Sequence, residues 1–360
     1  MTDKLKYADK ATQVLAQRAA EGSIELVWDR WEKMQPQCGF GRLGVCCQIC
    51  TMGPCRIDPF GEGPQIGVCG AEADTIVARN LVRMIAGGSA AHSDHGRDIA
   101  HTLIMAAEDS DSDYKIKNEE KLKSVAEVYG IKTAGRELKE IAKELGRCAL
   151  EEFSRPEGYV QFTTTAPPKR QKLWKDLGIL PRAVDREIVE TMHRTTMGVD
   201  ADYKNILKQG MRAALADGWG GSMVATELQD ILFGIPNPLR SAANLGVLNR
   251  KHVNIVLHGH EPVLSDIIAA VSQNGDLAEK ARAKGAEGIT VAGICCTANE
   301  ILMRRGVPIA GSFLQQELAI FTGVVDLMVV DVQCLMPGLK QAAGRYHTKL
   351  ITTSPKARIP

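Results

Sequence analysis

No apolar run in the 360-residue sequence is long enough to cross a bilayer, so no membrane span is expected. The N-terminal stretch MTDKLKYADKATQVLAQRAAEG lacks the hydrophobic centre of a secretory signal and mixes charged with small residues, which predicts a cytoplasmic protein. Neither sign of charge is in excess. With 44 Lys and Arg against 43 Asp and Glu, the net charge of +1 gives no electrostatic case for nucleic acid or an anionic membrane as partner. The C-terminal third has no G-x-G-x-x-G, so an α/β fold there carries no dinucleotide fingerprint.

Cysteine is sparse over most of the chain and crowded in two places. Six of the ten lie between Cys38 and Cys69, and three more between Cys295 and Cys334. In a reducing compartment such grouping points to metal ligands or reactive thiols rather than disulfides. Cys148 stands alone in the helical stretch IAKELGRCAL and reads as a small buried side chain.

Residues 1 to about 35 read as one amphipathic helix, followed by a Gly- and Pro-rich cysteine loop. Helical periodicity then resumes in AEADTIVARNLVRMIAGG and GRDIAHTLIMAAED, continues through the Lys/Glu-rich stretch 118–148, and ends another helix in ELQDILFG. Strands are hard to find before about residue 250. Three β-branched runs follow at 254–260, 288–296 and 324–334, separated by helical segments. Strand, helix, strand at that spacing means parallel strands with crossover helices. The expected fold is therefore α plus α/β: a helical domain over 1–240 carrying the cysteine loop, then a doubly wound, Rossmann-like domain over 241–360.

Each of the three β runs ends in a metal-ligating residue: His260, with His258 two before it, then Cys295 or Cys296, then Cys334. Open α/β sheets bind ligands outside the carboxyl ends of their strands, so these residues are expected to converge. In the cysteine loop, Cys47, Cys50, Cys55 and Cys69 form C-x2-C-x4-C-x13-C, four thiolates suited to a [4Fe–4S] cluster. Structural zinc is the alternative for this spacing. The adjacent pair Cys46–Cys47 argues for two centres, because neighbouring side chains in extended backbone point apart. That leaves Cys38 and Cys46 as half a ligand set, which a homodimer would complete on its twofold axis. His92, His95 and His101 follow in AAHSDHGRDIAH at helical spacing, a pattern that ordinary cap and surface histidines also produce. Thr297 and Glu300 are placed as a capping box that starts a helix directly after the Cys295–Cys296 pair.

The segment from Cys38 through HSDHG resembles the N-terminal part of the anaerobic nickel-iron carbon monoxide dehydrogenases. The motifs WGGSMVATELQDILFG, HGHEPVLSD, GICCTANE and DVQCLMPGL resemble the same family in the same order. The resemblance implies an intersubunit cluster on Cys38 and Cys46, and an intermediate [4Fe–4S] cluster on Cys47, Cys50, Cys55 and Cys69. It implies a nickel-iron-sulfur cluster held in part by His260, Cys296 and Cys334, with Cys295 beside it. His92, His95 and His101 become a proton row, with Asp98 where some members continue the row with another histidine. The implied reaction is the oxidation of CO with water to CO2, two protons and two electrons. A ferredoxin-like acceptor is implied, with acetyl-CoA synthase or a hydrogenase as further candidate partners. Members of this family continue past the end of this sequence with three more cysteine ligands and a lysine, so the chain alone is expected not to turn over. A truncated electron-transfer protein and a hybrid-cluster-type reductase are the competing readings.

Overall fold

The computed structural model describes residue 7 and residues 9–359. The chain divides into two compact units: Pro36–Gly234 forms one, and the segment up to Gln35 joins Ile235 onward in the other. The N-terminal segment, expected within a helical domain over 1–240, thus belongs to the α/β unit. It is also not one helix. Helix Lys10–Glu21 ends at Gly22, Ser23 takes a left-handed φ of 53°, and a second helix runs Val27–Lys33; the expectation for residues 1–6 and 8 lies outside the described residues. Ala16, Ala19 and Leu26 are buried in the α/β core, which explains the assignment: this apolar stripe is covered by strand and helix residues from beyond 245.

The helical unit is organised along Ala73–Glu108, a helix of 36 residues. Helices Leu138–Ser154, Val184–Arg194 and Tyr203–Ala216 pack against it. Small polar side chains on its inner face bond across these contacts: Thr75 Oγ1 donates to Ala201 O at 2.9 Å and Ser89 Oγ to Ala213 O at 3.1 Å. The stretch 118–148 forms two helices, Glu119–Val128 and the start of Leu138–Ser154, split by the loop after Gly130. Cys148 is half-buried on the second, not enclosed as its surroundings in sequence suggested, because the fully buried stripe runs through Ile141, Leu145 and Ala149 instead. Helix Tyr203–Ala216 runs into a π-helical segment, Asp217–Ser222, and on into helix Met223–Phe233. The only strands described here are β1 (Cys46–Cys47) and β2 (Cys55–Arg56), paired antiparallel.

The α/β unit holds a five-stranded parallel sheet: β3 (His252–Gly259), β4 (Gly288–Ile294), β5 (Ile309–Gly311), β6 (Leu327–Val330) and β7 (Lys349–Thr352). Their spatial order is β5-β4-β3-β6-β7, so the chain winds outward from β3 in one direction and then crosses back beside it. This is the doubly wound topology expected from the sequence. Val256, Ala292, Ile294, Met328 and Val330 form one core face with Leu318, Ile320 and Leu339 from the helices Gln316–Phe321 and Gly338–Ala343. Leu257, Val329, Ala269 and Ile301 fill the other face beneath the helices Pro262–Ser272 and Cys295–Arg305. Near-continuous apolar strands are what burial on both faces demands. The short β5 has no counterpart among the runs read from the sequence, since three residues give too little alternation to recognise.

Candidate functional site

β3 and β6 are neighbours whose onward connections leave in opposite directions, and their carboxyl ends open the crevice where open α/β sheets bind ligands. His260 directly follows β3, Cys295 directly follows β4, and Cys334 lies four residues past β6. The side chain that joins these ends is Asp331, a buried carboxylate just beyond β6. Its Oδ1 accepts backbone N–H groups from His260 (2.6 Å), Glu261 (3.0 Å) and Val332 (2.6 Å), and its Oδ2 accepts the Thr297 hydroxyl at 2.8 Å. Burial raises its pKa, and the three amides and the hydroxyl pull the other way. Gly259 makes this approach feasible: at φ 146° it brings the backbone so close that a Cβ there would overlap the carboxylate, 2.7 Å from Oδ2.

Thr297 therefore does not cap its helix. The helix begins at Cys295, with Ile294 at the N-cap position and no side-chain cap, and Glu300 pairs with Arg304 one turn on. The hydroxyl goes to Asp331 because Oδ2 of this buried carboxylate takes none of the three amides, which all go to Oδ1.

Backbone strain collects at the same edge. Cys295, Gln333 and Cys334 adopt φ values of 64°, 63° and 58°, a conformation costing a non-glycine residue about 1–3 kcal/mol. Cys296 and Cys334 are exposed, while Cys295 is half-buried. Burial, then the neighbouring Cys334 and Cys296, pushes the Cys295 thiol up to about 12, and burial followed by Cys334 raises Cys296 as well. Three thiols this close repel one another as thiolates, an arrangement that a cationic centre relieves. His258 takes a different position. It lies fully buried in β3 with Nε2 3.1 Å from Gln316 Oε1, and burial lowers its pKa. The same Gln316 donates from Nε2 to Cys334 O (2.9 Å) and accepts the Met336 amide (2.9 Å), so it holds the cysteine loop from behind.

The helical unit carries the other cysteines. β1 and β2 set Cys47 opposite Cys55, with Cys47 buried and Cys46 half-buried, as opposite faces of an extended pair require. Gly53 sits inside the connecting turn, where a Cβ would meet Cys47 O at 3.0 Å and Cys50 O at 3.4 Å. Val68 N lies 3.5 Å from Cys55 Sγ and brings the Cys69 loop to the same sulfur. The Ala71 amide and Arg79 lower the Cys69 pKa, while the Gly41 and Phe40 amides lower that of exposed Cys38. All ten cysteines are free. Among the described residues no three Cys, His, Asp or Glu side chains converge as ligands of a single ion.

Of the three histidines on Ala73–Glu108, His92 is half-buried with Nδ1 2.5 Å from Asp217 Oδ1. That hydrogen bond raises its pKa against the effect of burial. The π-helical segment supplies Asp217 and also Gly221, where a Cβ would stand 3.1 Å from His92 Cβ. His95 is buried with Nε2 2.6 Å from the Gln229 amide, and His101 is exposed. Asp217, Gln229, Gln316 and Asp331 were not singled out from the sequence. Asp331 alone left a local trace, an acidic residue closing the apolar run LMVVD.

Residues 45–360 match the model of the Prismane/CO dehydrogenase family. The chain belongs to the Prismane/CO dehydrogenase family. Within it, the chain is 57% identical over 355 residues to carbon monoxide dehydrogenase 1 of Methanosarcina acetivorans, covering 99% of this chain and 56% of that protein. It is 44% identical to the carbon monoxide dehydrogenase/acetyl-CoA synthase subunit beta of Moorella thermoacetica, covering 99% of this chain and 53% of that one. The nickel-free crystal structure of the Thermococcus sp. AM4 carbon monoxide dehydrogenase superposes with a TM-score of 0.95 at 53% identity, over 100% of this chain and 58% of that one. The chain thus spans little more than half the length of these family members. No helix among the described residues is long and apolar enough to cross a membrane.

Proposed function

We propose that this chain supplies the electron relay and the strand-end half of the active site of an anaerobic carbon monoxide dehydrogenase, acting as CO + H2O ⇌ CO2 + 2 H+ + 2 e−. The observation that carries the reading is the crowding of Cys295, Cys296 and Cys334 beyond the strand ends, with the His260 backbone bonded to the Asp331 carboxylate that precedes the Cys334 loop, and with left-handed backbone at Cys295, Gln333 and Cys334. The donor set fits a soft, polynuclear centre: thiolates and one imidazole, spread along a strand edge rather than focused on one point. His260, Cys296 and Cys334 would hold a nickel-iron-sulfur cluster, with Cys295 beside it. When bound, the cluster supplies the Lewis acidity and the two-electron redox step. His260 is favoured over His258 as ligand because His258 is enclosed in the sheet and bonded to Gln316.

The chain's own residues handle the protons and the electrons. His92, its pKa raised by Asp217, is suited to take up a proton at neutral pH, and His95 and His101 extend the row along one helix. Cys47, Cys50, Cys55 and Cys69 hold one [4Fe–4S] cluster, and Cys38 with Cys46 half of another, shared in a homodimer. A ferredoxin-like protein receives the electrons, and the Moorella relative's name makes an acetyl-CoA synthase the next partner to test.

The test is CO-dependent reduction of methyl viologen by the full-length, anaerobically purified protein, with nickel, iron and acid-labile sulfide measured on the same sample. Activity with about one nickel per chain is expected, and His260→Ala should abolish both. Iron and sulfide with neither nickel nor activity would refute the proposal and leave an electron-transfer protein.

A further inference from the structure

We propose that Asp331 is a positioning residue that registers the three ligand-bearing strand ends against one another. The inference rests on the reading of His260, Cys296 and Cys334 as ligands of one metal cluster. Those ligands sit on three separate segments, and no disulfide ties them together. Paired backbone of these strands ends at His258 on β3, Ile294 on β4 and Val330 on β6, followed only by the bridge between Gly259 and Cys295 and by the Asp331 amide, which donates to His258 O at 3.0 Å. Beyond that line, the Asp331 carboxylate supplies the connections. Oδ1 takes the amides of His260 and Glu261 from the β3 end and of Val332 from its own loop, and Oδ2 takes Thr297, the residue after Cys296. One side chain thereby touches every segment that carries a ligand.

Two further features show that the sequence is built around this contact. Gly259 leaves the space the carboxylate occupies, which any side chain there would fill. Gln333 and Cys334, two and three residues on from Asp331, both hold left-handed φ values, and such a conformation persists only where the surroundings over-determine it. Asp331 fixes the start of that loop, and Gln316 fixes its far side through Cys334 O and Met336 N.

The role differs from that of a ligand, because both oxygens are already engaged by this chain's own donors. An asparagine preserves three of those contacts, its amide oxygen accepting the three N–H groups. Alanine preserves none.

The experiment compares wild type, Asp331→Ala, Asp331→Asn and Thr297→Val as full-length, anaerobically purified proteins. Nickel per chain, the EPR signals of the clusters and the melting temperature are measured for each. Asp331→Ala is expected to lose nickel about tenfold while the [4Fe–4S] signals persist, Asp331→Asn to recover more than half of it, and Thr297→Val to shift the active-site EPR signal at an unchanged melting temperature. Wild-type nickel and an unshifted signal in Asp331→Ala would overturn the inference while leaving the metal-site reading intact. If Asp331→Ala does not fold, Thr297→Val decides: an unshifted signal with full nickel overturns the inference. A wild type without nickel would refute the metal-site reading and this inference with it.

Discussion

Replacing Gly259 by alanine tests the geometry of the strand-end site without touching any ligand. The added methyl overlaps the Asp331 carboxylate and stands 2.7 Å from its Oδ2, and the backbone there has φ of 146°. Alanine in such a conformation costs about 1–3 kcal/mol, and relief of the overlap by pushing Asp331 aside costs about 1–3 kcal/mol more. Displacing the carboxylate also weakens bonds to three amides and a hydroxyl, although water and local relaxation return part of that loss. The sum is about 4 kcal/mol. At roughly 2 kcal/mol per molar urea, the unfolding midpoint of the α/β unit should fall by about 2 M. Peptide-level hydrogen exchange in a urea series, read on 252–262 and 327–336, isolates that unit's transition. Gly288→Ala is the control, because a Cβ there comes no closer than 3.4 Å to the His252 ring. A Gly259→Ala midpoint within about 0.3 M of wild type, the range of an ordinary surface change, would refute the packing argument.

In the helical unit, Asp217 raises the His92 pKa, so the pair stabilises the fold fully below about pH 6.5 and its contribution fades as the pH rises through the raised value. Asp217→Asn should return the His92 NMR titration toward the ordinary imidazole range; an unshifted titration would show that the contact does not set it. Cys46→Ser should remove the EPR signal of the shared cluster and spare that of the four-cysteine cluster, and equal loss of both would undo the division between Cys46 and Cys47. Asp266 is buried and receives two hydrogen bonds from Arg305, at 2.8 and 2.6 Å, pinning the far end of the helix that begins at Cys295. Asp266→Ala should cost about 3–5 kcal/mol in denaturant unfolding, and a cost under about 1 kcal/mol would mean that the pair is screened like a surface one.

The doubly wound sheet was legible because burial on both faces leaves continuous apolar runs, which the segments of β3, β4 and β6 show. The division of the chain was less so. Helix Lys10–Glu21 looks amphipathic from its own residues, but nothing in its pattern says which core will cover Ala16 and Ala19. Its break at Gly22–Ser23 was overlooked because the periodicity on either side is similar.

The candidate ligands and the groups that hold them differ in how far they reach along the chain. Cys47 and Cys50, or Cys295 and Cys296, announce themselves by spacing, since residues a few positions apart are necessarily close in space. The groups that orient the candidate site residues come from far away: Thr297 bonds a carboxylate 34 residues on, His258 an amide 58 on, and His92 a carboxylate 125 on. Such pairs are chosen by the fold, and only after β3 and β6 are adjacent does the residue closing LMVVD become the neighbour of His260. Left-handed φ at Cys295, Gln333 and Cys334 has the same origin, because none of these residue types favours it locally and the packing behind them imposes it. A cysteine spacing therefore identifies donors, while the placement of the strand-end donors depends on Asp331 and Gln316. Mutations at those two positions should disturb the strand-end site's spectra at doses of destabilisation too small to unfold the α/β unit, as positioning rather than scaffolding contacts do.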